Sequence, residues 1–80
     1  MEKGFFMIKN YTLLCRNIQW REAAIILSHI AAAYPRYQIF NIHWIENNEL
    51  YIDLTATPNE IHNILKMHTR FEIFDEWEKY

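Results

Sequence analysis

The chain is poor in the residues that usually punctuate or brace a small fold. Among 80 residues it has one glycine, one cysteine and two prolines. A single cysteine rules out an intramolecular disulfide. Cys15 ends the apolar run Tyr11-Thr12-Leu13-Leu14-Cys15, which suits a packed structural thiol better than a nucleophile. With Gly4 as the only glycine there is no glycine-rich loop to cradle a phosphate, which argues against conventional ATP, GTP or dinucleotide binding. Basic excess is also missing: eight Lys and Arg stand against ten Asp and Glu, for a formal charge of -2. Broad affinity for a phosphate backbone is therefore disfavoured, although a total charge can hide a local patch. No apolar run approaches the length of a membrane span, because Lys9 and Asn10 interrupt Phe5-Phe6-Met7-Ile8, and no secretory signal pattern follows. The expectation is a soluble cytoplasmic protein.

What the chain does have is apolar and aromatic substance, 51% and 16% of its residues, which points to a folded domain and away from a disordered tail. Eighty residues make one compact domain, residues 1–80, that buries only about 60–65% of its extended surface. Little core is left over for a deep enzyme pocket.

Gly4 to Leu14 reads as a strand whose faces are ambiguous, because its first apolar run is continuous. Asn17 is a candidate cap for a helix over 18–34. On that helix Trp20, Ala23, Ala24, Leu27, Ile30, Ala31 and Tyr34 recur at three- and four-residue spacing, and Pro35 ends it. Trp20 is expected to anchor this helix. Two strands follow, Tyr37 to Glu46 and Glu49 to Ala56. A two-residue turn at Asn47-Asn48 would set Asp53 on an apolar face. A three-residue turn at Glu46-Asn47-Asn48 pairs Trp44 with Leu50, Ile42 with Ile52 and Phe40 with Leu54, with Asn48 left-handed. The second register is preferred, and it places Trp44 in the sheet core. Thr57-Pro58-Asn59-Glu60 carries a capping box with proline at the first helical position, and it opens a helix over 58–68 whose apolar face is Ile61, Ile64, Leu65 and His68. Arg70 to Phe74 returns to strand, and residues 75–80 read as a tail able to fold back by Trp77 and Tyr80.

The order strand, helix, strand, strand, helix, strand resembles the ferredoxin-like split βαβ arrangement. The resemblance implies an α+β fold: a four-stranded antiparallel sheet with two helices on one face. It carries no function by itself.

The expected open face of that sheet holds Asn41, His43, Ile45, Tyr51 and Asp53, with Ile39 and either Phe5 or Phe71 beside them. His43 and Asp53 are the best local acid/base pair, since a carboxylate can orient an imidazole. Ordinary surface pairing or a polar binding patch explains them with fewer demands. His29, His43, His62 and His68 form no HExxH or cysteine-rich zinc signature, so neither a metal nor a cofactor is expected. RNA-binding domains of the same element order stack bases on open-sheet aromatics, but the strand Asn48-Glu49-Leu50-Tyr51-Ile52-Asp53-Leu54 lacks their basic-glycine-aromatic pattern. The reading that remains is a non-enzymatic regulator, inhibitor or adaptor. It would bind another protein or a second copy of itself through its open face or a sheet edge, and Asn41, His43, Ile45, Tyr51 and Asp53 would be the contacts. Single-stranded nucleic-acid binding and small-ligand sensing are the alternatives.

Overall fold

Strand-type alternation and two helical stripes organise the chain into β1 (Lys9–Cys15), α1 (Trp20–Ala33), β2 (Gln38–Ile45), β3 (Glu49–Ala56), α2 (Pro58–Met67) and β4 (Phe71–Glu78). The structure is a computed structural model that describes residues 8–33 and 38–78. The strands form one sheet in the order β2-β3-β1-β4, antiparallel at every pairing, and both helices lie on one face. This is the ferredoxin-like split fold, as the element order implied. The core joins Leu13 and Cys15 of β1 and Leu50, Ile52 and Leu54 of β3 to Ala23 and Ile30 of α1 and Ile61 and Ile64 of α2. Burial raises the Cys15 thiol above its ordinary pKa, consistent with a structural role.

The helix starts differ in how well local sequence specifies them. Thr57 accepts from the Glu60 backbone N–H at 3.2 Å, and the Glu60 carboxylate accepts from the Thr57 N–H at 2.9 Å, so the expected capping box is complete. In α1, Asn17 is not the cap. It takes a left-handed turn at φ 56°, and Gln19 caps instead, its carbonyl accepting from the Ala23 N–H at 2.9 Å and its N–H donating to the Glu22 carboxylate at 3.3 Å. The buried stripe of α1 is Ala23, Ile26, Leu27 and Ile30, rotated by about 50° from the expected face at 100° per residue. Trp20, expected as an anchor, is 69% exposed, and Ala24 and Ala31 are exposed beside it. Tyr34 and Gly4 to Met7 lie outside the described residues.

The β2–β3 hairpin keeps the preferred register at Ile42–Ile52 and Trp44–Leu50, with Asn47 and Asn48 both left-handed at φ 77° and 60°. It departs at Phe40, where a bulge slips the ladder and Ile39 takes the place opposite Leu54. Trp44, expected in the core, is 43% exposed because β2 is an outer strand that the helices do not cover. β4 runs on to Glu78, so residues 75–78, expected as a tail, continue the ladder with β1, while Lys79 and Tyr80 fall outside the described residues. Arg70 ties one end of the molecule together. Its guanidinium donates to the Glu22 carboxylate at 2.9 Å, to the Arg16 carbonyl at 3.4 Å and to the Asn17 carbonyl.

Two outcomes test this account. Thr57→Ala removes one capping bond and is expected to lower stability by about 1 kcal/mol, a fall in Tm of several degrees for a domain of this size. An unchanged melting curve would contradict the box. His68, the C-cap of α2, has a buried Nε2 without a hydrogen-bond partner among the described residues, and burial, with His29 nearby, holds its pKa below the ordinary value of 6.5. The unfolded chain therefore takes up this proton first as pH falls. Stability is independent of His68 well above pH 6.5 and declines as pH drops below it. In urea titrations at stepped pH, His68→Phe should flatten that decline, and an unaltered slope would assign it to other groups.

Candidate functional site

The sheet face opposite the helices is built by alternation from the two inner strands. From β1 it takes Asn10, Thr12 and Leu14, and from β3 it takes Glu49, Tyr51, Asp53 and Thr55. Leu14 is fully buried yet lies outside the core cluster, which places it on this second face. β2 contributes Asn41, His43 and Ile45, opposite Asp53, Tyr51 and Glu49. The five residues singled out in the sequence thus share one face of one hairpin. Ile39, expected beside them, is on the helix face opposite Leu54, and Phe71 is buried in the core opposite Cys15. Phe5 is outside the described residues.

The outer strands add aromatics through their bulges. In each bulge two residues oppose one and share its side of the sheet. On β2, Phe40 and Asn41 oppose Asp53; on β4, Phe74 and Asp75 oppose Thr12. Beyond the β4 bulge, Trp77 comes to lie opposite Asn10, also on the open face. Phe74 reaches across β1 to meet Tyr51 edge-on, ring centres 5.1 Å apart at 83°, and Leu14 is sealed between those strands. Phe40 and Trp77 meet at 6.4 Å and 88° although two strands separate their own. The span is possible because the residues beneath are short: Thr55 donates to the Asn10 side chain at 2.7 Å and forms a low polar floor. Sequence reading missed Phe40 and Phe74 and reached Trp77 only as a tail residue able to fold back over this face, and the available signal was a pair of apolar runs on outer strands where a slip is tolerated.

Between the aromatic pairs lies a polar centre. The Thr12 hydroxyl donates to Asp53 Oδ1 at 2.6 Å, and His43 Nε2 stands 3.4 Å from Asp53 Oδ2. Asp53 is largely shielded while His43 is about half exposed. These three, with Ile45, Tyr51 and Phe74, line a shallow depression of about 300 Å³. The carboxylate can orient the imidazole as expected, and the Thr12 hydroxyl donates to the same carboxylate. Around the rim, Arg16 bridges Glu72 at 2.8 Å and Glu49 at 3.8 Å.

Among the described residues no three His, Cys, Asp or Glu side chains gather as a metal site, and no helix is long and apolar enough to cross a membrane. No protein-family model, no curated protein and no solved structure matches the chain.

The polar centre can be checked by a double-mutant cycle. Thr12→Val and Asp53→Asn should couple by about 1 kcal/mol in chemical denaturation, since a part-buried hydrogen bond to a carboxylate exceeds a neutral one. Additive effects would remove this bond from the solution structure.

Proposed function

We propose that the chain is a small non-enzymatic protein-binding domain of the regulator, inhibitor or adaptor class, which docks a partner protein through the open sheet face. The observation that carries this reading is the pair of edge-on aromatic contacts, Tyr51 with Phe74 and Phe40 with Trp77, flanking the Thr12, Asp53 and His43 centre on a face that neither described helix covers. Phe74 is 58% exposed and Trp77 39% exposed, so each aromatic pair retains surface to bury. Aromatic anchors around a few oriented polar groups are the usual composition of a protein-binding hot spot. The depression of about 300 Å³ lies at the lower bound of small-molecule pockets, and its shallow form better suits one inserted side chain of a partner. Asp53 in its lining and Asp75, opposite Thr12 on the same face, favour a partner that presents lysine or arginine. The same carboxylates, with Glu49 and Glu72, oppose nucleic-acid phosphates, although the aromatics would suit base stacking. A lone buried cysteine suits action in the reducing cytoplasm.

The test is affinity capture with the wild-type chain, with Phe74→Ala and Trp77→Ala on the open face, and with His62→Ala on exposed α2 as a control. A captured protein should lose about 30-fold in affinity to either open-face variant and none to the control. Equal retention by all variants, or tight binding of mixed-sequence oligonucleotides at low salt, would reject the reading.

A further inference from the structure

The two outer strands of the sheet differ in chemistry. Among the described residues each has an unpaired edge, and soluble proteins usually blunt such edges with charge. β4 does so: in Phe71–Glu78 the acids Glu72, Asp75, Glu76 and Glu78 occupy both faces. β2 does not. Gln38–Ile45 contains no lysine, arginine, aspartate, glutamate or proline, and beyond its bulge at Phe40 the segment Asn41 to Ile45 is a regular ladder with one free side.

The helix side of β2 is equally uncovered. Ile42 and Trp44 face the same way as buried Ile52 and Leu50, yet remain 48% and 43% exposed. The position of α1 accounts for this. Glu22, paired with Arg70, and His29, beside His68, mark the flank of α1 that faces α2 and β4. Ala24 and Ala31 lie two residues on from them, about 200° around the helix, and Trp20 is on the same side. The opposite flank of α1, toward the β2 side, therefore presents Trp20, Ala24 and Ala31, all exposed, on the same side of the sheet as Ile42 and Trp44. The result is an apolar shelf along a strand edge that still has backbone groups to pair.

We propose that β2 pairs antiparallel with β2 of a second copy of this chain, about a twofold axis at His43, to form one eight-stranded sheet. A register centred on His43 sets Ile42 of one copy opposite Trp44 of the other on the helix side, and Asn41 opposite Ile45 on the open side, so each pleat meets its own kind. Charge selects this partner. Pairing β2 with β4 of another copy would press carboxylates against Ile42 and Trp44, and pairing β4 with β4 would oppose like charges. Only the closed β2–β2 contact avoids both, and it carries the acidic β4 edges to the far ends of the sheet. The exposed portions of Trp20, Ile42, Trp44 and Ile45 offer on the order of 300 Å² of apolar area per copy, a substantial part of the roughly 800 Å² a standard interface buries on each side. The pairing is independent of the open-face reading. It leaves that face free and sets two copies of it side by side.

Light scattering coupled to size exclusion, from low micromolar to submillimolar chain, should find a mass of twice 9.8 kDa. Ile42→Lys and Trp44→Lys, at half-exposed positions, should each weaken the dimer at least tenfold while leaving the far-ultraviolet circular dichroism of the fold intact. Phe74→Lys on the open face should leave the dimer unchanged. If the charged β2 variants lose their fold, His43→Cys decides: residues opposed on antiparallel strands sit within the reach of a disulfide, so oxidation should give a covalent dimer that the wild type, with only buried Cys15, does not form. A monomer at every concentration, a dimer that Phe74→Lys abolishes and Trp44→Lys spares, or no crosslink at position 43 would overturn the proposal. Each result leaves the affinity-capture test of the open face to be judged separately.

Discussion

Two bulges of one extra residue determine what each face of this sheet is. Side chains alternate along a strand, so a slip of one residue exchanges the faces for everything beyond it. On β4 the slip after Ile73 sends Trp77 to the open face and Glu76 and Glu78 to the other, where both meet Lys9 at 3.3 and 3.8 Å. On β2 the slip at Phe40 turns that ring outward and returns Ile39 to the helix side, opposite Leu54. Without these slips the face would lack Phe40 and Trp77, two of its four paired rings. Both bulges lie on outer strands, where an extra residue disturbs one ladder and not two.

The inner strands supply the rigidity that such an arrangement needs. β1 is buried on both faces, by Leu13 and Cys15 beneath the helices and by Leu14 beneath Tyr51 and Phe74. β3 alternates between core leucine and isoleucine and the polar residues of the face. At one end Arg70 bonds the turn before α1 to that helix's first turn, and the Ile18 N–H donates to the Asn48 carbonyl at 3.0 Å, linking the same turn to the hairpin. A surface ion pair contributes little alone. Here the guanidinium also satisfies main-chain carbonyls that the turn leaves unpaired.

Legibility followed the local strength of each signal. The capping box could be read because Thr57, Pro58 and Glu60 act within four residues. The hairpin register could be read because the alternative put Asp53 among apolar partners, and with it came Asn41, His43, Ile45, Tyr51 and Asp53 on a common face. The bulges could not, since Ile39 and Phe40 are both apolar and either suits the core. The rotation of α1 was hidden by Ala24 and Ala31, which count as apolar in a periodicity but bury little area wherever they point. Trp20 and Trp44 show the limit of residue type as a guide to burial: large apolar side chains lie wherever two helices leave a strand uncovered.

The β4 slip gives the sequence an uneven tolerance to changes of length. Phe74 is the supernumerary residue, so its loss would close the bulge and leave Asp75 and Trp77 on the open face and Glu76 and Glu78 on the other, whereas a residue added or lost elsewhere in β4 turns part of the strand to the opposite face. Substitution at the same place changes only one side chain. Related sequences, if they keep this architecture, are therefore expected to tolerate a one-residue difference in β4 at the bulge and nowhere else in the strand, and to gather their other insertions in the turns.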